Sequence, residues 1–199
     1  MSDRNPGGFI TKTEVKPSGS LETSAASGVW TLDEAYSAMV INKWPTVGNF
    51  PEGVEDVFST FLYNGNSTAS TVITNNINLS GEGGMVWIKR RDGTDSHALF
   101  DTARGTTKGL NPNATTAEQT DANSITSFNS NGFTLGTGYT VYAVNYNAQE
   151  YVSWTFRKQP KFFDIVTYTG TGSARTVAHN LQSVPGMIMV KVTSTADSW

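Results

Sequence analysis

A block of sequence that occurs twice constrains the fold of this chain more than any other feature. GMVWIKRRDGTDSH (residues 84–97) aligns without a gap on GMIMVKVTSTADSW (residues 186–199). Gly, Met, Lys, Asp and Ser recur in register, and the apolar positions stay apolar. Upstream, FLYNGN (61–66) matches VTYTGT (166–171), with three fewer residues between the blocks in the second copy. Two blocks in the same order predict one structural unit that is repeated along the chain.

The repeat divides the 199-residue chain into a complete copy and a partial one. The first module runs from 57 to 158. The second copy occupies 162–199 and ends at Trp199, the counterpart of His97. Because a sandwich cannot close from its first third, we expect 162–199 to be the start of a second, truncated β module. The whole chain would then be the N-terminal part of a longer protein.

Alternating apolar residues between polar turns predict that the first module is made of strands. In YVSWTFR, for example, Val152, Trp154 and Phe156 share one face, and the intervening residues share the other. The predicted fold is therefore an all-β sandwich of the jelly-roll or concanavalin-like type. The four predicted strands are VFSTFLY (57–63), MVWIK (85–89), GFTLG (132–136) and YVSWTFR (151–157).

The sequence pattern of residues 1–50 differs from that of the β modules and predicts an extended arm with one short helix. Thr31 and Glu34 form a capping box, which satisfies free N–H groups at a helix start, so we expect a helix from Leu32 to about Asn42. A helix this short needs packing partners. The arm is either a disordered tail or an anchor that orders on a partner, and a Pro/Gly-containing acidic linker (51–56) follows it. The proposed anchoring side chains are Trp30, Leu32, Tyr36, Met39 and Trp44.

Composition argues against several classes of function. The chain has 14 basic and 17 acidic residues, whereas nucleic-acid binding requires a concentrated basic excess. It has no cysteine, so neither disulfides nor a cysteine zinc site can form. Its apolar runs are too short to span a bilayer, and we expect no membrane insertion. No residue pattern implies a metal or a cofactor.

His97, Asp101 and Arg104 form the cluster that most resembles an active site. Catalysis by His97 would require a nucleophile or a second catalytic acid, and the sequence supplies neither a nucleophile motif nor a paired carboxylate. We therefore interpret the three residues as a structural polar bracket, in which Arg104 pairs with Asp101. We do not expect an enzyme. The rival interpretation, a polysaccharide depolymerase, predicts that activity is lost on His97→Ala.

Two further segments are candidates for binding. The basic run 89–91 either grips phosphate or an acidic glycan, or is the solvated end of a strand. The tyrosine-rich stretch 138–151 combines aromatic rings with amide side chains, which suits a glycan site but equally suits a packed loop or a subunit contact. The candidate contacts there are Tyr139, Tyr142, Asn145 and Tyr146.

Taken together, GGMVWIKRR, HALFDTARG, SFNSNGFTLG and NYNAQEYVSWTFRK resemble a repeated module in virion proteins of marine tailed phages, including cyanophages. Five positions depart from the pattern of that module: Gly83-Gly84-Met85 replace Pro-Asp-Leu, Ser153 replaces Ala, and Phe156 replaces the last Trp. The matching residues are Val86, Trp87, Ile88, Lys89, His97, Leu99, Asp101, Arg104, Gly105, Gly132, Phe133, Leu135, Gly136, Tyr151, Val152 and Trp154.

The resemblance implies a virion structural protein, most simply a tail fibre that attaches to the tail and projects β modules toward the host. Its expected location is the virion tail after assembly in the host cytoplasm. Its expected partners are other virion proteins, such as a tail adaptor or nozzle or neighbouring subunits, and two further copies in a homotrimer. A host cell-surface glycan is a further candidate ligand. The alternatives are a capsid-decorating or head fibre protein and a carbohydrate-binding, lectin-like module. The family offers no catalytic residues to transfer.

Overall fold

In a computed structural model, the chain is described at residues 3–5, 8–10, 53–138 and 141–199. It divides into two units, Met1–Gly53 and Val54–Trp199. In the first unit, β1 (Asp3–Asn5) and β2 (Gly8–Ile10) pair antiparallel. The predicted helix and all five proposed anchoring residues lie outside the described residues.

The regular secondary structure of the second unit is almost entirely β-strand. One short helix, α1, begins inside the predicted linker and leads directly into the first strand. No helix in the described part of the chain is long and apolar enough to cross a membrane. The elements are α1 (Val54–Val57), β3 (Phe58–Asn64), β4 (Thr71–Thr74), β5 (Gly84–Arg90), β6 (Ala98–Asp101), β7 (Gly105–Leu110), β8 (Gln119–Thr120), β9 (Ile125–Asn129), β10 (Gly132–Leu135) and β11 (Glu150–Arg157).

These strands form two antiparallel sheets that enclose one core. The larger sheet has six strands in the order β3-β11-β5-β6-β7-β8, and the smaller has the order β4-β10-β9. The predicted all-β, sandwich-like fold is confirmed. The four predicted strands correspond to β3, β5, β10 and β11, each within one residue at either end. The other five are short or polar and lack a clear alternation of apolar residues.

The core lies between the two sheets and is apolar. Val86, Ile88 and Phe100 from the six-stranded sheet meet Ile73 and Phe133 from the three-stranded sheet, and all five are at most 4% exposed. Burying each such side chain contributes roughly 1.5–3 kcal/mol before entropy is counted. Loop residues that complete the same cluster are Ile77, Leu79, Tyr142 and Val144.

Strand β11 places its more polar face against this core. Tyr151, Ser153 and Thr155 are fully buried. The Thr155 hydroxyl accepts a hydrogen bond of 2.8 Å from the side-chain amide of Asn75, so the buried oxygen is satisfied. The apolar alternation of β11 therefore points to the opposite side of the sheet, here called the outer face.

The outer face carries a second apolar cluster, which includes large side chains of β5 and β11. Met85, Leu99 and Leu110 form its centre, and Phe156 packs beside them. The chain after β11 crosses this face and adds Phe163 and Ile165 to the cluster. The six-stranded sheet is thus covered on one side by the three-stranded sheet and in part on the other by these residues.

Residues 162–199 form this cover without forming strands of their own. Their only ladder contact is an isolated bridge between Gln159 and Phe163. They are held to the first module by Trp199, whose indole N–H donates to the Asn111 carbonyl at 3.1 Å, and by the Asp197 N–H, which donates to Thr115 at 2.8 Å. The sequence GMIMVK, which makes an interior strand in the first copy, has no strand partner in the second.

Candidate functional site

Asp101 and Arg104 form a buried ion pair at the turn between β6 and β7. The Arg104 Nε and backbone N–H donate to the two carboxylate oxygens of Asp101 at 2.7 and 2.9 Å. Gly105, with φ of +91°, lets the chain reverse immediately afterwards. Arg104 also donates to Glu118 at 3.1 Å, and its side chain is only 8% exposed. The pair therefore joins the β6–β7 turn to the segment that enters β8.

His97 does not belong to this cluster. It precedes β6, whereas Asp101 ends it, so an extended strand separates their backbones by about 13 Å. The His97 Nδ1 instead accepts a hydrogen bond of 2.8 Å from the indole N–H of Trp87. Burial, with a smaller contribution from the charge of Lys89, lowers the pKa of His97. The histidine is thus positioned as a neutral acceptor for an indole, without a carboxylate to orient it as a base.

The basic run 89–91 is engaged by groups within the module. Arg90 binds Asp92 at 2.7 Å and Asp95 at 2.8 Å, and it also donates to Gln149. Arg91 lies 3.3 Å from Glu150. The ammonium of Lys89 donates to the carbonyl of Gly93 at 2.8 Å. These bonds hold the turn after β5 in place, and each positive charge already has an acceptor.

The tyrosine-rich stretch is mostly directed inward. Tyr142 is 2% exposed, and its ring packs edge-on against Phe100 with ring centroids 5.1 Å apart. Gly109 makes this possible, because a Cβ there would lie 2.5 Å from the ring carbons of Tyr142. Burial raises the pKa of the Tyr142 phenol to about 12. Tyr139 lies outside the described residues, and Tyr146 is half-buried.

The side chain of Asn145 links two loops by hydrogen bonds. It is fully buried, and its amide donates to the carbonyls of Gly136 at 2.7 Å and Thr68 at 3.1 Å, while its oxygen accepts from the N–H of Asn66 at 3.0 Å. With all its polar atoms used, the side chain holds the loop before β11 against the loop after β3. Neither Asn145 nor Tyr142 presents a surface to a glycan in this structure.

An apolar cavity of about 240 Å³ opens on the outer face. Its lining joins both copies of the repeat, since Trp87 comes from the first and Trp199, the counterpart of His97, from the second. No motif in the sequence predicted a site at these residues. The lining residues are Trp87, Leu99, Pro112, Ile188, Met189, Val190 and Trp199. Across the described part of the chain, no three His, Asp or Glu side chains are grouped as metal ligands would be.

We predict that Arg104→Ala destabilises the protein by about 3–5 kcal/mol, because it leaves the buried Asp101 carboxylate without its cation. Urea denaturation measures the free energy of unfolding. Arg91→Ala is the matched control: its ion pair is exposed, so its loss should cost at most about 1 kcal/mol. Equal effects of the two substitutions would contradict the bracing role of Arg104.

We also predict that His97 makes stability fall in mildly acidic solution. Its pKa is lowered in the folded chain, so the unfolded chain binds a proton at higher pH. The stabilising contribution is complete above about pH 6.5 and is lost as pH falls toward the folded pKa. Denaturation between pH 7.5 and 5 should show a smaller loss for His97→Gln than for the unmodified chain. A curve unchanged by His97→Gln would show that this interaction does not contribute.

The comparisons with known proteins place this β structure in a family. No curated protein and no solved structure matches the chain. A family model described as a domain of unknown function, DUF7483, matches residues 54–199, which is well over half of the sequence and coincides with the second compact unit. The chain therefore belongs to the DUF7483 family.

Proposed function

We propose that this protein is a structural component of a tailed-phage virion, specifically a tail fibre. Residues 1–50 would attach it to the tail, and the β module would project from the particle toward the host. One observation carries the proposal: the polar residues of HALFDTARG and of the basic run 89–91 bond to groups within the module and brace its turns. The Asp101–Arg104 and Arg90–Asp92 ion pairs are examples. The resemblance to phage virion modules supplies the biological setting.

The distribution of apolar side chains supports a role in assembly. Val184, Met187 and Ile188 are each more than 70% exposed, and other large apolar residues of the second copy accompany them. Contiguous exposed apolar groups on a soluble protein are typical of surfaces that contact other proteins. Neighbouring virion subunits, including further copies in a homotrimer, are the partners that we propose for this surface.

A lectin-like role is the second candidate, and the cavity on the outer face favours it. Trp87 and Trp199 both line this cavity, and flat indole rings are surfaces on which sugar rings stack. The remaining lining is aliphatic, which leaves few polar groups to select one sugar over another. Binding of host polysaccharide that is lost on Trp87→Ala would favour this function over a purely structural one.

Mass spectrometry of purified particles, followed by immunogold electron microscopy with antibodies against residues 54–199, tests the proposal. We expect the chain to be present in intact particles and the gold to mark the tail. Labelling on the head would show that the chain is a capsid-decorating or head fibre protein and not a tail fibre. Absence of the chain from particles of the phage that encodes it would contradict a virion role altogether.

A further inference from the structure

Strand β3 forms one edge of the six-stranded sheet and carries none of the features that usually block such an edge. Among the described residues its only ladder partner is β11, which pairs with all seven of its residues without a shift of register. Natural edge strands are commonly short, charged or interrupted by proline or a bulge. The opposite edge, β8, is only two residues long, whereas β3 (FSTFLYN) is long and has no charge and no proline.

The ladder between β3 and β11 determines which backbone groups of β3 point outward. The N–H of Gly65 continues this ladder and donates to the Gln149 carbonyl at 2.8 Å. Inward and outward groups alternate along an antiparallel strand, so the odd-numbered residues of β3 bond to β11. Thr60, Leu62 and Asn64 therefore direct their N–H and C=O groups away from the sheet. All three residues are exposed.

Apolar side chains on both faces of β3 are left partly uncovered at this edge. On the core side, Phe61 and Tyr63 pack against the core cluster but are only partly buried. On the outer face, Phe58 packs against Phe156 with ring centroids 4.8 Å apart, while Leu62 is 57% exposed. A further strand beside β3 would cover these side chains and satisfy the outward backbone groups.

We propose that β3 pairs antiparallel with β3 of a second copy of this chain, about a two-fold axis perpendicular to the sheet. The two six-stranded sheets then form one continuous sheet. Such an axis keeps the core side of both copies on the same side, so it passes through a residue and not between two residues. Phe61 is the middle residue of β3, and only an axis at Phe61 pairs all seven residues. This interface is separate from the exposed apolar residues 184–188 and does not depend on a virion role.

The sequence of β3 is complementary to itself in this register. Thr60 lies opposite Leu62 of the second copy in a hydrogen-bonded pair, as the outward direction of their backbone groups requires. The two Phe61 side chains meet across the axis, and aromatic cross-strand pairs stabilise antiparallel strands. No like charges face each other, because the strand carries no charge. These properties favour a second copy over a strand of another protein.

Disulfide formation between two single-cysteine variants tests the register. The chain has no cysteine of its own, so every disulfide is one that was introduced. Thr60→Cys and Leu62→Cys replace exposed side chains, and the Cα atoms of a hydrogen-bonded pair are about 5.5 Å apart, which suits a disulfide. An equimolar mixture of the variants should oxidise to a covalent dimer with one chain of each, identified by mass spectrometry.

Each cysteine variant by itself is the control for this mixture. Identical positions of the two copies lie diagonally across the ladder, about 7–8 Å apart, which is too far for an unstrained disulfide. Each variant alone should therefore cross-link much less than the mixture. Equal cross-linking in the mixture and in the separate variants, or none in the mixture, would overturn the pairing about Phe61.

Light scattering during size-exclusion chromatography of the full chain tests the contact without a cross-link. We expect an even number of chains per particle, and Leu62→Pro should halve this number. The substitution removes an outward N–H and leaves the bonds to β11 in place, since proline is tolerated on an edge strand whose N–H faces solvent.

Leu62→Thr is the matched control, because it removes the same apolar side chain but keeps the backbone N–H. It should leave the number of chains unchanged, and thermal melting should show that both variants are folded. The same mass for folded Leu62→Pro as for the unmodified protein would overturn the proposal. A single chain per particle for the unmodified protein would assign the edge to a strand of another protein and overturn pairing between copies.

Discussion

The structure depends on the burial of both faces of β5 and β11, the central strands of the six-stranded sheet. Strand β11 is the clearest case, because Tyr151 and Thr155 contact the core while Phe156 packs on the outer face. A sheet of this kind needs a cover on each side: the three-stranded sheet supplies one, and the chain after β11 supplies part of the other. Residues 162–199 contribute to that cover through Phe163 and Ile165.

Polar residues are used in this fold to fix the ends of strands. The Asp101–Arg104 pair and its bond to Glu118 hold a turn that has few apolar contacts of its own. Arg90 does the same for the turn after β5 through two aspartates. Hydrogen bonds to a guanidinium are directional, so they specify one turn geometry where apolar packing would not. The sequence motifs that resemble an active site therefore hold the turns that fix the register between neighbouring strands.

The sequence predicts the long strands well because alternation over seven or eight residues is a strong signal. It does not predict which face of β11 meets the core: apolar residues suggest Val152, Trp154 and Phe156, and the buried face carries hydroxyls that a distant residue, Asn75, satisfies. The i,i+3 spacing of Asp101 and Arg104 suits a turn, and the pair forms there. His97 is separated from them because ALFD, too short to show a period, is an extended strand. The burial of Tyr142 depends on Gly109, more than thirty residues away in the sequence, so the residues around Tyr142 do not predict it.

Two copies of one sequence have different structural states here: β5 is an interior strand, and residues 186–192 repeat its sequence without pairing in a ladder. Native-state hydrogen exchange measured segment by segment tests this most directly. The amides of Val86 and Ile88 should exchange only on global unfolding, whereas those of Ile188 and Val190 should exchange orders of magnitude faster. Equal protection of the two segments would contradict the account, because it would mean that the second copy is already paired.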